Sequence, residues 1–508
     1  MDYRKEIDGL RAVAVLPVLL FHAGLQGFDG GFLGVDVFFV ISGYLITTII
    51  VNDIEAGRYS IARFYERRAR RILPALFLVV LVTTPLAFTV LLPSQLLDFG
   101  FSILSVVSFV SNIFFWKQGG YFTEDLEKAP LLHTWSLAVE EQYYILFPIL
   151  AVLLVPRSRG LFLASLIAVG SISLMLAEYM SRVSIYANYY LLPTRAWELM
   201  IGAVCSMVLI RKQLLPNPWL SAIGAGMLVY AFVTFGRQTP FPSLYGLIPT
   251  VGTALIILFS APSNLVGRLL GLRPVVIVGL ASYSIYLWHQ PLLALARAAD
   301  IDSMPVMLGC LVASVAAGWG SWKYLEAPFR DARRMSLRAL TTTLGVMFLV
   351  LLVVAAGIVH QKGFLGRYSE DDRWLASLDT TTSGQYVMAR FTELQNRDWD
   401  VSGERLRTLV IGDSFAQDFT NVLGESRWAD NLDVSTFYVR PGCGNLITEE
   451  DLSRYRSEIL HRQCQSERRY DDPSLLRRLA EADRVFLASY WSDWEVERLA
   501  ESLEKLRP

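Results

Sequence analysis

The feature that most constrains this chain is a series of apolar segments, each about the length of a membrane-spanning helix. A helix needs about 20 mostly apolar residues to cross the hydrocarbon core of a bilayer. Only 18% of the residues are charged, below the roughly one quarter that is usual in soluble domains. We predict eleven spans, at 10–26, 33–51, 73–92, 136–155, 161–180, 191–210, 218–235, 245–261, 275–296, 305–325 and 339–359.

The distribution of basic residues predicts which side of the membrane each loop faces. With eleven spans and a cytoplasmic N-terminus, 19 lysines and arginines fall in cytoplasmic loops and 5 in outer loops. A further apolar run, 99–116, contains four serines and an asparagine, and counting it as a span would reverse every later loop. We therefore interpret 99–116 as a re-entrant or interfacial segment. The odd number of spans places the C-terminal part, 360–508, outside the cytoplasm.

Net charge and cysteine content argue against two other classes of protein. The net charge of −1 gives no indication of a nucleic-acid partner. Four cysteines are too few for a disulfide-rich scaffold, and Cys205 and Cys310 lie inside apolar runs. Cys443 and Cys464 lie in the polar C-terminal part and are a candidate disulfide if that part is outside the cytoplasm. We expect no metal site.

Two ionisable residues of the first span are the main functional candidates. Arg11 and His22 are 11 residues apart, which is about three helical turns, so both lie on one face about 16 Å apart along the axis. Ionisable groups inside a span are costly and are functional candidates by default. A basic group facing an anionic donor, with an imidazole above it, suits the passage of an acyl group. The structural alternative is that Arg11 reaches lipid phosphates and His22 is a core histidine.

Further ionisable groups lie at the predicted outer ends of later spans. They are Glu140 and Glu141 in the fourth span, Arg195 and Glu198 in the sixth, and His289 in the ninth. Arg195 and Glu198 are three residues apart on one helix, so they can pair. We expect all of these groups to lie near His22 and to line a cavity. An ion-pair network that joins helices is the equally weighted alternative for each group taken singly.

The second cytoplasmic loop, FYERRARRILP at 64–74, clusters arginines at the cytoplasmic face. Guanidinium groups pair well with phosphates, so this loop is a candidate site for a nucleotide-containing donor such as coenzyme A. Anionic lipid headgroups and the setting of topology require the same residues. The loop by itself leaves both explanations open.

Together these motifs resemble the acyltransferase-3 family of membrane acyltransferases. The run EIDGLRAVAVLPVLLFHAG has ten residues between Arg11 and His22, and an FFxxSG element at 38–43 includes Ser42. FYERRARRILP, HTWSLAVEEQYYILFP, PTRAWELMIG, SYSIYLWHQP and YLEAPFR follow in family order. The resemblance covers about 1–335.

The resemblance implies acyl transfer from cytoplasmic acyl-coenzyme A to a carbohydrate hydroxyl outside, with acetyl-coenzyme A as the simplest donor. It implies that Arg11 and His22 are essential and that His22 handles the acyl group, by covalent relay or as a base. Arg68 and Arg71 match the family's arginine-rich loop, and Arg67 is a further candidate because the doubled arginines leave the register open. Glu140 and Glu141 are added as candidate catalytic residues, and Ser42, Arg195, Glu198 and His289 as candidate cavity residues.

The C-terminal part resembles an SGNH-type hydrolase or transferase domain, as fused to one branch of this family. RTLVIGDSFAQDF at 407–419 predicts a strand, a turn at Gly412 and Asp413, and a helix that begins at the candidate nucleophile, Ser414. Backbone N–H groups at a helix start can help to form an oxyanion hole. The Asp-x-x-His and GxND motifs of SGNH enzymes are missing. We expect a truncated domain in preference to one that cannot complete catalysis.

The predicted architecture is an all-α membrane domain followed by a partial α/β domain. Its parts are the membrane domain at 1–335, an eleventh transmembrane helix at 336–360, a periplasmic linker at 361–404 and an SGNH-like domain at 405–508. The predicted function is O-acylation of a surface or periplasmic glycan, such as lipopolysaccharide O-antigen, at the bacterial inner membrane. The alternatives are a flippase for a lipid-linked sugar, which no inverted repeat supports, and an outer esterase with a membrane anchor. The sequence leaves the oligomeric state open.

Overall fold

The computed structural model divides the chain into two compact units, Met1–Ala376 and Ser377–Pro508. The first unit is helical, and the second contains a small sheet. The residues that the structure describes are 3–119, 124–212, 214–236, 239–370, 373, 380–400, 403, 405–427, 429–448, 450–455, 460, 464–465 and 469–506.

The first unit is a bundle of long helices joined by short helices and turns. Short 3-10 turns lie at Gly31–Leu33, Leu244–Gly246 and Leu365–Arg367, and a π-helical turn lies at Trp322–Glu326. The helices are α1 (Lys5–His22), α2 (Gly34–Glu55), α3 (Ile61–Val90), α4 (Pro93–Val107), α5 (Ser111–Gln118), α6 (Glu124–Glu127), α7 (Thr134–Leu154), α8 (Arg159–Val183), α9 (Ile185–Tyr190), α10 (Leu192–Arg211), α11 (Pro218–Thr234), α12 (Leu247–Phe259), α13 (Leu265–Leu270), α14 (Arg273–Ala298), α15 (Met304–Ser321), α16 (Ala327–Arg330) and α17 (Leu337–His360).

Side chains at the helix starts explain several of these boundaries. Ser60, Ser158 and Ser336 precede α3, α8 and α17, and each hydroxyl accepts a hydrogen bond from a backbone N–H three residues further on. The Asn217 side chain caps α11 in the same way. Proline occupies the first turn of α10, α11, α14 and α15, where its missing N–H leaves no helical hydrogen bond unmade.

A helix lies at each of the eleven predicted spans. Among the described residues, seven segments are long and apolar enough to cross a membrane, which supports a multi-pass membrane protein. The helices α11 and α12 are shorter, and α1 has four charged residues among its 18. The total of eleven crossings stays a prediction. The seven segments are Gly31–Glu55, Ile61–Val90, Thr134–Leu154, Arg159–Val183, Ile185–Arg211, Met304–Arg330 and Leu337–His360.

The apolar run at 99–116 is not one continuous helix. The helix α4 ends at Val107 and α5 begins at Ser111, and between them Phe109 has a left-handed backbone with φ of 54°. Ser102 and Ser105 each donate to a carbonyl three residues earlier in α4, which satisfies their hydroxyls inside an apolar environment. The break supports the interfacial or re-entrant interpretation, which stays a prediction.

Helices α2 and α10 approach each other at backbone distance. A Cβ atom on Gly43 would lie 1.9 Å from the carbonyl oxygen of Leu199, and one on Gly202 would lie 1.9 Å from that of Val40. Small residues at such a contact allow two membrane helices to pack closely. Gly43, the glycine of the FFxxSG element, therefore allows α2 to pack closely against α10.

The second unit has a three-stranded parallel sheet in its described part. Strand β1 (Leu406–Gly412) lies between β2 (Leu432–Tyr438) and β3 (Arg484–Ala488). Leu409 and Ile411 pack with Leu475 on one face of β1, and Val410 packs with Phe391 on the other. The predicted strand, turn and helix around Ser414 are confirmed, whereas the complete SGNH fold stays a prediction. The helices of this unit are α18 (Thr380–Glu393), α19 (Ser414–Glu425), α20 (Pro473–Glu481) and α21 (Asp493–Leu506).

The second unit begins earlier than residue 405, the boundary predicted from sequence. Helix α18 lies within the predicted linker at 361–404, and its Phe391 is buried. The Thr436 hydroxyl donates to the Phe391 carbonyl at 2.7 Å, and the Asn396 N–H donates to the Thr436 carbonyl at 3.0 Å. The segment was predicted as a linker because it is polar, but its backbone hydrogen-bonds to β2 of the sheet. Residues 371–372, 374–379, 401–402 and 404 of that linker lie outside the described residues.

Candidate functional site

A cavity of about 210 Å³ lies among α1, α2, α3, α7 and α14 of the first unit. Apolar side chains such as Phe38, Ile46 and Leu137 form much of its wall. A mostly apolar pocket with a few convergent polar groups is the usual form of a small-molecule site. Five residues predicted from the sequence line it, and they are Arg11, Ser42, Arg68, Arg71 and Glu140.

Glu140 links the FFxxSG element to the arginine-rich loop across this cavity. Its carboxylate accepts a hydrogen bond from the Ser42 hydroxyl at 2.7 Å and one from the Tyr144 hydroxyl at 3.3 Å. The guanidinium carbon of Arg68 lies 4.3 Å from the centroid of the Tyr144 ring, a cation–π distance. Residues from α2, α3 and α7 therefore form one polar network.

Guanidinium groups concentrate positive charge at the cavity. Arg71 is within electrostatic range of Arg11 and Arg68, which line the cavity with it, and of Arg330, which is paired with Glu326 at 2.6 Å. Arg11 is buried, and its contact with Asp8 is loose, at 3.7 Å between Nη1 and Oδ1. Like charges packed together repel each other, and a bound anion relieves that repulsion. The cluster is therefore suited to a ligand with phosphate groups.

Arg67 does not line the cavity. Its Nη2 lies 3.0 Å from the carboxylate of Asp53, and the side chain is 45% exposed. Arg58 also contacts Asp53, at 3.1 Å. Of the three arginines carried over from the arginine-rich loop, Arg68 and Arg71 line the cavity.

Beyond the cavity, two imidazoles from different helices meet. The Nδ1 atom of His22 lies 3.0 Å from the Nε2 atom of His289, and the ring centroids are 5.1 Å apart. His289 Nδ1 contacts the carbonyl oxygen of Tyr286. The histidines are not among the residues that line the cavity in the described part, whereas Tyr286 lines it. Tyr286 therefore lies between the cavity and the histidine pair.

A third buried imidazole, His133, was not singled out from the sequence. Its ring centroid is 5.4 Å from that of His289 and 5.3 Å from that of Tyr286. The Leu287 backbone lies beside it, and its ring nitrogens make no side-chain hydrogen bond within the described residues. The signal available was a histidine directly before a predicted span, in the HTWSLAVEEQYY motif.

Arg195 and Glu198 form a separate cluster with Asp36 of α2. The Arg195 guanidinium is 3.2 Å from Glu198 and 3.3 Å from Asp36, and all three side chains are buried. The predicted pairing of Arg195 with Glu198 is confirmed, but neither lines the cavity among the described residues. The cluster joins α2 to α10, as the ion-pair alternative predicted. Four aromatic rings surround the guanidinium at 5.1 to 5.6 Å, and they belong to Phe39, Trp135, Tyr189 and Phe241.

The structure corrects the expectation that the five later ionisable groups converge near His22. Only His289 bonds to His22 among the described contacts of these five. Helix α7 begins at Thr134, so Glu140 lies six residues into it, about 9 Å along the axis, and lies with the arginines. Glu141 is buried but does not line the cavity.

In the second unit, Ser414 is exposed at the first position of α19. The Asp413 carboxylate accepts the Phe415 N–H and the Tyr490 N–H, each at 3.0 Å, so it caps the helix and holds the chain after β3. A Cβ atom on Gly412 would lie 1.7 Å from the carbonyl oxygen of Ala488, which leaves room only for glycine. The geometry of the turn thus explains why position 412 is a glycine and position 413 an aspartate.

A disulfide joins Cys443 to Cys464, with 5.4 Å between the Cα atoms. Asn445, two residues after Cys443, is buried, and its side-chain amide donates to the Ile411 carbonyl at 3.1 Å and to the Ser489 hydroxyl at 3.0 Å. These contacts hold the PGCGN turn beside the end of β1. The described residues of this unit include no histidine to act as a base, since its histidine, His461, lies outside them.

Comparison with known proteins identifies the membrane unit. The sequence profile described as "Acyltransferase domain" matches residues 4–323, which is 320 of the 508 residues. The chain belongs to the acyltransferase-3 family. Among the described residues of this family member, no group of three or more histidine, cysteine, aspartate or glutamate side chains is arranged to hold a metal ion.

Relatives in this family include O-acetyltransferases. The chain is similar to O-acetyltransferase OatA of Staphylococcus aureus strain NCTC 8325 / PS 47, with 29% identity over 405 residues, 73% of this chain and 65% of the relative. The protein of the same name from strain MRSA252 is 30% identical over 356 residues, 65% of this chain and 57% of the relative. The chain therefore spans less than two thirds of the length of these relatives. No solved structure matches it.

Proposed function

We propose that this chain is an O-acetyltransferase that moves an acetyl group from cytoplasmic acetyl-coenzyme A to a hydroxyl of an extracytoplasmic glycan, such as lipopolysaccharide O-antigen. The observation on which the proposal rests is the cavity in which Arg11, Arg68 and Arg71 share one space inside an acyltransferase domain. The names of the relatives favour acetyl as the acyl group.

The donor binds at the arginine end of the cavity. Guanidinium groups form charge-assisted hydrogen bonds with phosphate oxygens, which suits the phosphates of coenzyme A. Apolar wall residues, among them Phe38 and Ile46, then face the uncharged arm and its thioester. The Ser42–Glu140 hydrogen bond joins α2 to α7 beside the arginines.

The transfer step takes place beside His22, on the far side of Tyr286 from the arginines. Imidazole titrates near neutral pH, so His22 is suited to act as a general base. It takes the proton of the attacking hydroxyl as the hydroxyl oxygen bonds to the thioester carbonyl carbon. The carbon–sulfur bond breaks, and the proton passes to the departing thiolate.

The proposed location is the bacterial inner membrane, with the N-terminus in the cytoplasm and the second unit in the periplasm. The excess of basic residues in the predicted cytoplasmic loops supports this orientation. The Cys443–Cys464 disulfide supports it independently, because disulfides persist in oxidising compartments. In this proposal Ser414 supplies the hydroxyl that attacks the thioester, and a glycan hydroxyl then attacks the resulting serine ester and releases the Ser414 hydroxyl.

The test is incubation of the purified chain with acetyl-coenzyme A labelled in the acetyl group, together with a membrane fraction that contains the glycan. Wild-type protein is expected to consume donor and label the glycan, and His22→Ala is expected to do neither at equal protein level. His360→Ala, at the exposed end of α17, is the matched control. Absence of donor consumption, with movement of a lipid-linked sugar instead, would establish the flippase.

A further inference from the structure

A chain of hydrogen bonds runs from a backbone carbonyl to His22 through His289. His289 is fully buried, with 0% of its surface exposed, and His22 is 8% exposed. One nitrogen of His289 contacts the Tyr286 carbonyl oxygen, and the other lies 3.0 Å from His22 Nδ1. The two rings come from α14 and α1, so the contact joins parts of the chain that are 267 residues apart.

The carbonyl oxygen decides where the hydrogens lie. A carbonyl can only accept, so His289 Nδ1 carries a hydrogen and donates it to the Tyr286 oxygen. A neutral imidazole has one N–H, so His289 Nε2 is an acceptor. His22 Nδ1 is therefore the donor across the 3.0 Å contact, and His22 Nε2 is the basic nitrogen of that ring.

This assignment requires that His289 is neutral. The ring is fully buried, and its described contacts are a carbonyl oxygen, the other imidazole and nearby aromatic rings, with no carboxylate. The charged group within electrostatic range of it is a cation, Arg297, which donates to the His22 carbonyl oxygen. A buried imidazolium without an opposite charge would lose its hydration with no compensation. The neutral form is the one that these surroundings favour.

The Tyr286 side chain is itself held in place. Its hydroxyl lies 2.9 Å from the Ser136 hydroxyl and donates to the His133 carbonyl at 3.0 Å. The carbonyl that orients His289 thus belongs to a residue fixed to the start of α7. The backbone carbonyl of Tyr286 therefore sets the direction of the hydrogen bonds, and the hydroxyl contacts of Tyr286 hold that residue in place.

We propose that His289 is a positioning residue that holds His22 in the Nδ1–H tautomer, so that the proton of the attacking hydroxyl is taken by His22 Nε2. The same logic governs histidines whose second nitrogen is fixed by a hydrogen bond in other enzymes. The inference rests on the proposed function, because it assigns the atom through which His22 acts.

The test compares His289→Gln with His289→Asn in the labelled-donor assay. A glutamine amide oxygen reaches approximately the position of His289 Nε2 and can accept from His22 Nδ1, whereas the shorter asparagine amide ends near the position of Nδ1. We expect His289→Asn to lower kcat by about 100-fold and His289→Gln by about 10-fold or less. The KM for acetyl-coenzyme A should change less than about threefold in both, because the arginines stay in place.

The matched control is His133→Gln, since His133 packs against His289 at 5.4 Å between centroids and bonds to neither histidine in the described contacts. It should keep most of the activity. Equal losses in His289→Gln and His289→Asn, or a loss in His133→Gln as large as that in His289→Asn, would overturn the positioning role. Monodispersity in detergent identifies any variant that fails to fold, and activity in His22→Ala would overturn the proposed function itself.

Discussion

The two units present their candidate reactive groups in opposite ways. In the membrane unit, Arg11 and His22 are buried, and His22 bonds to a residue of another helix. In the second unit, Ser414 is exposed at the start of a helix. Burying an ionisable group in a membrane protein is costly, so its presence calls for a reason, whereas an exposed serine costs nothing. The burial of the first pair therefore carries more functional weight than the position of Ser414.

The largest predicted effect separates the chemistry of the two units. His22→Ala should lower donor consumption by about 10²–10⁴-fold, the range for loss of a general base. Ser414→Ala should abolish labelling of the glycan, whereas donor consumption should stay within about tenfold of wild type as hydrolysis, because His22 can still take a proton from water that attacks the thioester. Both are measured with labelled acetyl-coenzyme A, and a large loss of donor consumption in Ser414→Ala would remove the contrast between the units.

The next effect concerns the stability of the second unit. Replacing Cys443 and Cys464 by serine removes a cross-link across 21 residues and should destabilise this unit by about 3 kcal/mol through loss of the constraint on its unfolded state. Limited proteolysis of the full chain in denaturant measures this, read on fragments of the second unit. Donor consumption should be unchanged, and a parallel loss of that activity would show that the units depend on each other.

A smaller effect should appear in donor binding. Arg71→Gln should raise the KM for acetyl-coenzyme A about 10-fold, because a charge-assisted hydrogen bond to phosphate is lost. Arg71→Lys should recover part of it, since lysine keeps the charge but not the planar fork. Steady-state kinetics at low salt provide the measurement. An unchanged KM in both variants would place the donor phosphates elsewhere.

The smallest effect sharpens the contrast within one helix. Arg67 lies on α3 with Arg71 but pairs with Asp53 at an exposed position. Exposed ion pairs contribute little, so Arg67→Gln should change KM and kcat less than twofold. A change in KM as large as that of Arg71→Gln would mean that general positive charge, rather than the cavity, attracts the donor.

Contacts within one helix followed from the sequence, and contacts between helices did not. The pairing of Arg195 with Glu198 was predictable because three residues place two side chains on one face. Their partner Asp36 lies in another helix, so the spacing of residues along the sequence could not predict this contact. Apolar runs gave the positions of the helices, because burial in lipid requires them.

The histidine contact shows the same limit more sharply. Periodicity placed Arg11 and His22 on one face but gave no information on which helix faces them. His289 meets His22 across 267 residues of chain, and His133 joins them from a third segment. The position of Glu140 was wrongly predicted because its partners, Ser42 of α2 and Tyr144 beside Arg68, are set by contacts between helices that spacing does not show. Likewise, the structure was needed to show that Arg68 and Arg71, rather than Arg67, line the cavity.

The contact between α2 and α10 bears on how a substrate enters. With carbonyl oxygens of Leu199 and Val40 against Gly43 and Gly202, the two helices cannot slide past each other without collision, so they behave as one rigid wall. Any widening of this cavity to admit acetyl-coenzyme A therefore leaves α2 and α10 fixed relative to each other. The movement is then expected in α3, α7 or α14, which line the rest of the cavity. Spin labels on those helices would report it, while the distance between labels on α2 and α10 would stay unchanged.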